Sequence, residues 1–441
     1  MKKSVFLLLL TLLPTLVMAQ VSGGQVTRPV KKLQNKQQTG IKPTNSNSKQ
    51  KVVREVTYES TLSTEERKAW YEEKERAKEK MKQLAYNLKM QNIEPRGNFH
   101  EGLAPCNKGY IDKSGNLVIV QKNDYARCFH NGYAIVNVGY HKWGAIDKKG
   151  NVIIPFEYFE VDDYSEGLFR VMNDIDYKSA YINERKEIII PFDNSVKGRG
   201  VFSEGSVIAY NKDGKKGYIN KAGNVIIPFE YQDGGRFKEG LAPVSKNDKW
   251  GYIDKQGNVK IPFIYDGAEE FNFGLGLVEK NGKQGFIDSS GNIVIPLKYG
   301  VNRVQGSFGV GYISENLIFV RNSSKYGYID IKGKLIIPYK YNHVGNFSEG
   351  LACVAFYYHD NNHIKYGFIN KKGQTVIPFK YIVTRRVFYD RWSSIFLSPS
   401  NYPGYEFSEN LAYIEVLNDL GENSTKGGYV DKYGNSTFDF E

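Results

Sequence analysis

A chain of 441 residues is long enough for two or three domains, and a formal net charge of +12 raises nucleic acid as a partner. Almost all of that excess lies ahead of residue 94, so the long remainder is close to neutral and lacks the basic stripe of a duplex-binding surface. Three cysteines, Cys106, Cys128 and Cys353, are too few and too odd in number for a disulfide scaffold.

The first residues read as a secretory signal. Lys2 and Lys3 precede an apolar run from Val5 to Val17, and Val17-Met18-Ala19 places small residues where a signal peptidase cuts. Residues 1–19 are therefore expected to be removed. No later segment has the ~20 apolar residues of a spanning helix. The expected location is outside the cytoplasm: periplasm, cell surface or extracellular space. Residues 20–60 are polar, basic and poor in large apolar side chains, and read as a disordered linker. Residues 61–93 read as one amphipathic helix. Ser63 and Glu66 form a capping box, and Trp70, Ala77, Met81, Leu84, Ala85 and Leu88 fall on one stripe. That stripe is expected to pack on the start of the long C-terminal region.

From about residue 97 to the end the sequence repeats itself. A small residue before an aromatic-Ile pair, or a relative of it, marks nine copies: Gly109, Gly144, Ala180, Gly217, Gly251, Gly285, Gly327, Gly367 and Gly428. Periods of this size mean solenoids, propellers or arrays. Lys142-Trp143-Gly144 and Lys249-Trp250-Gly251, followed by Ile-Asp-x-x-Gly-Asn and Ile-Pro-Phe-x-Tyr, resemble the WG (or KWG) repeats of bacterial proteins. Most copies replace the Trp. The resemblance implies an extended β-repeat scaffold and transfers no catalytic residue.

The copies serve as an internal alignment. Each opens on Glu-Gly or a relative, as in Glu101-Gly102, Glu204-Gly205 and Glu239-Gly240, and the last copy has Asn410 for the Gly. Asn tolerates positive φ, so a tight left-handed turn is expected there. At the second Gly, Ala180 is accepted once, so small size is the expected requirement. Packing is the favoured role for the Trp beside it, and a ligand pocket the sharper alternative. The Asp of Asp147-Lys-Lys-Gly150-Asn151 recurs at Asp254 and Asp288 but is Asn183, Asn220 and Asn370 elsewhere. An amide can hold a turn but cannot act as a general base, so the position is read as structural. The last strand alternates, with Val152, Ile154, Phe156 and Tyr158 on one face, and Pro155 and its equivalents are expected to close it.

The fold class is thus all-β: a tandem β-hairpin array preceded by one N-terminal helix. Atypical first and ninth copies favour an open superhelix or solenoid, with a β-propeller as the alternative. Cys106 occupies a place held by Val elsewhere and reads as a buried small hydrophobe, with a Cys106–Cys128 bridge as the other option.

No nucleophile elbow, phosphate loop or zinc-protease motif is present, so no catalytic residue, cofactor or metal is assigned. His359-Asp-Asn-Asn-His363 has a metal-like spacing but too few ligands. The acids Asp162-Asp163 and Asp174/Asp176 read as polar connectors. The insertion 382–405 concentrates Arg385, Arg386, Phe388, Tyr389, Arg391, Trp392, Tyr402 and Tyr405. Residues of these types are enriched at binding hot spots, so this is the candidate partner site, with a lid over the eighth copy as the plainer role. The expected function is a non-catalytic extracytoplasmic scaffold for a protein or peptide of the cell envelope. Cell-wall or glycan binding is the second reading and an enzyme with an unrecognised site the third. A monomer is expected, with no nucleic acid and no membrane span after cleavage.

Overall fold

The computed structural model describes residues 57–192, 196–198, 200–300, 310–357, 363–384, 405–417 and 425–440. The helix runs Thr64–Met90, and both halves of its capping box are made: the Ser63 Oγ accepts from the Glu66 N–H, and the Glu66 carboxylate accepts from the Ser63 N–H. Of its apolar stripe, Met81, Leu84, Ala85 and Leu88 are buried.

Among the described residues the strands form nine antiparallel sheets, each a simple up-and-down meander, one per copy. They are numbered here 1 to 9 in chain order. Sheet 5 shows the unit: Asp233–Gly234, Leu241–Lys246, Lys249–Asp254 and Val259–Tyr265. The first two strands meet at Lys238-Glu239-Gly240-Leu241, where Lys238 and Leu241 exchange backbone hydrogen bonds. Both central residues are left-handed, Glu239 at φ 54° and Gly240 at φ 80°. That is the type I′ turn that suits the strand twist, and Asn410 at φ 69° fills the Gly place as expected.

Glutamate is a poor residue for positive φ, and its presence has a reason. In the seven turns that carry a Glu its carboxylate reaches the turn of the next sheet, and Asn131 and Phe273 hold the place in the other two. Glu204 accepts from the Gly240 N–H, Glu239 from Gly274, and Glu315 from Gly350. A lysine of the next copy's hairpin completes several of these links, as Lys255 does for Glu204 at 3.1 Å. Burial alone would raise the Glu204 carboxyl, but Lys255 and the Gly240 N–H outweigh it and hold it below its ordinary value. A depressed carboxyl stabilises the fold above its unfolded pKa and loses that contribution as the pH falls through the folded one. Melting temperature is therefore expected to drop on acidification below the carboxylate range, and Glu204→Gln to flatten that acid limb while lowering the plateau at neutral pH.

Two further contacts repeat from sheet to sheet. A buried tyrosine hydroxyl donates to a carbonyl of the next sheet, as Tyr252 does to Glu269 O at 2.8 Å. A turn serine does the same, as Ser203 does to Phe237 O at 2.7 Å. All three contacts also join the ninth sheet to the first. Tyr429 Oη donates to Gly97 O, Ser408 Oγ to Phe99 O, and the Gly102 N–H to the Glu409 carboxylate. The array is therefore closed: nine blades of a β-propeller, not the open superhelix that the odd end copies favoured. Those copies differ because they meet each other and the helix. Met81, Leu84 and Leu88 share one apolar cluster with Phe99 and Ile111 of the first copy and Tyr413 and Tyr429 of the ninth. In the ninth copy a short 3-10 turn, Thr437–Phe440, follows the hairpin where other copies have a last strand.

Pro191 follows the end of its strand, Ile188–Ile190, as expected, but the other prolines sit differently. Pro262 lies inside the last strand, which continues to Tyr265, rather than ending it. The register shifts there, with Tyr252 opposite Ile261 and Trp250 opposite Tyr265. A proline lacks a donor, and an edge strand with a bulge accommodates that.

The Asp hairpin is a turn device in both chemistries. Asp254 Oδ1 accepts from the Gln256 and Asn258 N–H groups, and Asn220 Oδ1 accepts from Ala222 and Asn224 in the same way. Asp254→Asn is expected to change stability by no more than about 0.5 kcal/mol. A denaturant melt at neutral pH measures this.

Candidate functional site

With the repeated positions committed to joining blades, the chemistry that differs between blades lies along the seams. One backbone hydrogen bond fixes equivalence there. Arg127 donates to Ile135 O, Asp162 to Arg170 O, Gly235 to Pro243 O and Glu269 to Leu277 O. Arg127, Asp162, Gly235 and Glu269 are therefore one position in four blades, and Ile135, Arg170, Pro243 and Leu277 are its partner. The Trp of the repeat forms a second column: Trp143, Ser179, Lys216, Trp250, Gln284 and Tyr326 each face a second-strand residue, respectively Asn137, Met172, Tyr210, Ser245, Glu279 and Arg321.

At the seam of sheets 2 and 3 this arrangement is a charged cluster. The Arg170 guanidinium, 8% exposed, lies 2.9 Å from Asp162 and 3.2 Å from Glu160. Arg127 reaches Asp163 at 3.2 Å, and its guanidinium carbon stands 5.8 Å from the centre of the Trp143 ring. Burial lifts the Asp162 carboxyl above its ordinary value, with Arg170 opposing and Glu160 adding to the push. Asp162 and Asp163 do lie in the polar connector after Glu160–Val161, but there they join a partly buried ionic cluster.

At the seam of sheets 5 and 6 the same positions frame a cavity of about 350 Å³. Its walls include Trp250, Asp266, Glu269, Glu270, Glu279 and Gln284. Asp266 is held by Lys249 and the Asn281 N–H, and Glu270 by Arg236 at 2.9 Å. Crowding by the surrounding chain, with Glu270 adding, raises the Glu269 carboxyl above its ordinary value. Gln284 is 8% exposed, and its Oε1 has no hydrogen-bond partner.

The glycine beside the Trp is there for room. A Cβ on Gly251 would stand 2.5 Å from the Ile261 carbonyl oxygen, and one on Gly144 2.5 Å from that of Ile154. The requirement is size, as Ala180 implied. The Trp side chains are half-buried against their blades' apolar clusters.

Matches to the family of WG-containing repeats cover residues 109–140, 143–174, 217–250, 250–283, 285–326, 326–355 and 366–381. The chain belongs to the WG-repeat family. No curated protein matches this WG-repeat chain. Among solved structures it is similar to a eukaryotic initiation factor, at 10% identity over 78% of this chain and 94% of that one, with a TM-score of 0.45. It is also similar to BamB from Moraxella catarrhalis, at 10% identity over 72% and 91% of the two chains, with a TM-score of 0.35. A third is the Dos1 propeller, at 11% identity over 59% and 80%, with a TM-score of 0.34.

Of the candidate residues read from the insertion, Arg385, Arg386, Phe388, Tyr389, Arg391, Trp392 and Tyr402 lie outside the described residues, as do the signal, His359 and nearly all of the linker. Tyr405 is described. It is 3% exposed and packs its ring 4.8 Å from that of Tyr366 in the core of sheets 8 and 9. His363 begins the third strand of sheet 8. Cys106, Cys128 and Cys353 are free thiols, with Cys106 and Cys353 buried. Among the described residues no helix is long and apolar enough to cross a membrane, and no group of three His, Cys, Asp or Glu residues could hold a metal ion. Sequence reading missed the seams altogether. The signal that could have found them is the pair of acids that opens copies three and six, Asp162-Asp163 and Glu269-Glu270, each following a copy that keeps its Trp.

Proposed function

We propose that this WG-repeat propeller is a non-catalytic interaction scaffold, exported from the cytoplasm, that recognises a protein or peptide of the cell envelope. One observation carries the reading. The recurring positions of the repeat are consumed in blade-to-blade bonding, whereas the Trp column and the residues facing it change from blade to blade. A constant frame with a variable column is how a repeat protein presents a specific surface. Arg385, Arg386 and Trp392 of the insertion are a second candidate contact, on the strength of their residue types alone.

The test is affinity capture from an envelope fraction with the mature chain as bait, beside binding to purified peptidoglycan and soluble glycans. A protein partner whose affinity falls by tenfold or more for Trp250→Ala or Trp392→Ala, with unchanged melting, supports the reading. Saturable glycan binding without a protein partner would replace it. Mass spectrometry of the natural product is expected to show Gln20 as the new N-terminus, and cytoplasmic protein retaining Met1 would overturn export.

A further inference from the structure

We infer that the cavity between sheets 5 and 6 is a binding pocket for the guanidinium of an arginine side chain presented by a peptide. The repeat supplies its own precedent. At the equivalent seam of sheets 2 and 3, a resident guanidinium, Arg127, lies between an acid, Asp163, and the ring of Trp143. A second, Arg170, neutralises Asp162. At the seam of sheets 5 and 6 the Trp and both acids are kept, as Trp250, Glu269 and Glu270, but the cations have left their two positions, and only Glu270 regains one, from the neighbouring Arg236. Gly235 stands in the place of Arg127, and Leu277 in that of Arg170. The cavity of about 350 Å³ opens between them, lined by Gly235, Leu277, Trp250 and the two acids. That volume lies within the range of small-ligand sites, roughly 300–1,000 Å³.

A second, independent feature points the same way. Gln284 takes the Trp place of sheet 6 and lines this cavity, more than nine-tenths buried, with its side-chain carbonyl unpartnered. A buried acceptor without a donor costs free energy that a bound N–H would recover. Glu270 has Arg236, Asp266 has Lys249, and Glu279 is buried with a contact of its own, so Glu269 is the acid of the pocket that a ligand cation would serve. Burial first, and Glu270 beside it second, push its carboxyl above the ordinary value, and a bound cation would offset both. Guanidinium suits this set better than ammonium. It is planar, stacks on an indole face and presents several donors in a fixed fork.

The inference rests on the scaffold reading only in assigning the arginine to a peptide. Titration calorimetry of the mature protein with acetyl-arginine amide, acetyl-lysine amide, acetyl-citrulline amide and free arginine tests it. Acetyl-arginine amide is expected to bind saturably, the lysine amide more weakly, and citrulline, which keeps the shape and loses the charge, not at all. Glu269→Gln is expected to weaken binding at least tenfold. Leu277→Arg, which rebuilds the Arg170 arrangement inside the pocket, is expected to abolish it. Both variants should melt with wild type or above it. Equal binding of citrulline, or wild-type affinity in Leu277→Arg, would overturn the pocket. Tighter binding of free arginine would reassign the ligand to an amino acid. A pocket that binds the amide while the envelope yields no protein partner would leave the site standing and overturn the scaffold reading.

Discussion

Gly251→Ala is expected to destabilise the propeller by about 3 kcal/mol or more, the largest loss for one added methyl group in sheet 5. The backbone at Gly251 is not left-handed, so strain is not the cause. The added Cβ would stand 2.5 Å from Ile261 O and 2.9 Å from the Pro262 carbonyl. Those atoms belong to the bulged part of the last strand, where the register slips between Tyr252 opposite Ile261 and Trp250 opposite Tyr265. A flexible side chain could move aside, but these are backbone atoms held in the sheet. Gly240→Val tests the other kind of glycine. Nothing lies within 4 Å of a Cβ there, and the cost comes from φ 80° alone, about 1–3 kcal/mol. Denaturant melts of the two variants should therefore rank Gly251→Ala as the worse, although alanine is the smaller residue. The reverse order would mean that the last strand shifts outward freely, and that the bulge is not fixed by the missing side chain.

Sheet 3 accepts Ala180 at this position. Among the described residues its last strand is Ile188–Ile190, and none of them pairs with Ser179 as Tyr265 pairs with Trp250. The requirement for a small residue was legible in the sequence, through Gly and Ala at one position. The cause was not, because a bulge in a neighbouring strand leaves no mark at the glycine itself. The same holds for the turn. Asn410 for Gly revealed one left-handed residue, but the Glu before it is left-handed too, and glutamate gives no hint of positive φ. Its reason is a contact one copy away, between the Glu carboxylate and the next turn's N–H, which a single copy cannot display. Ring closure was hidden for a like cause. Copies one and nine look degenerate in the repeat alignment, and degeneracy reads as a free end until the helix is seen covering both. At the seams, each acid pair looks like a surface loop when its own copy is read alone. The Trp it faces belongs to the copy before.

Leu84→Ala is expected to cost about 2–5 kcal/mol, the range for a large aliphatic side chain lost from a core, and to loosen the ring at one place. Leu84 is 1% exposed and packs with Phe99 and Ile111 of the first copy and with Tyr413 and Tyr429 of the ninth. Among the described residues no strand of the first copy joins the sheet of the ninth, so the two ends of the array are tied by the shared side-chain and turn contacts and by the helix laid across them. Asn87 Nδ2 donates to Ser114 O and Gln91 Nε2 to Gly115 O on the first copy, and Asn435 Nδ2 donates to Lys74 O from the ninth. Truncating Leu84 removes the apolar centre of that clamp and leaves its polar contacts in place. Amide hydrogen exchange separates this role from general core loss. Protection in sheets 1 and 9, at Tyr110 and Tyr429 among others, is expected to fall before protection at Tyr252 in sheet 5 does. Ile261→Ala, a cavity of similar size in the core of sheets 5 and 6, serves as the control and should leave sheets 1 and 9 protected. If Leu84→Ala lowers protection evenly around all nine blades, the helix does not clamp the closure, and the ring opens and unfolds as one unit.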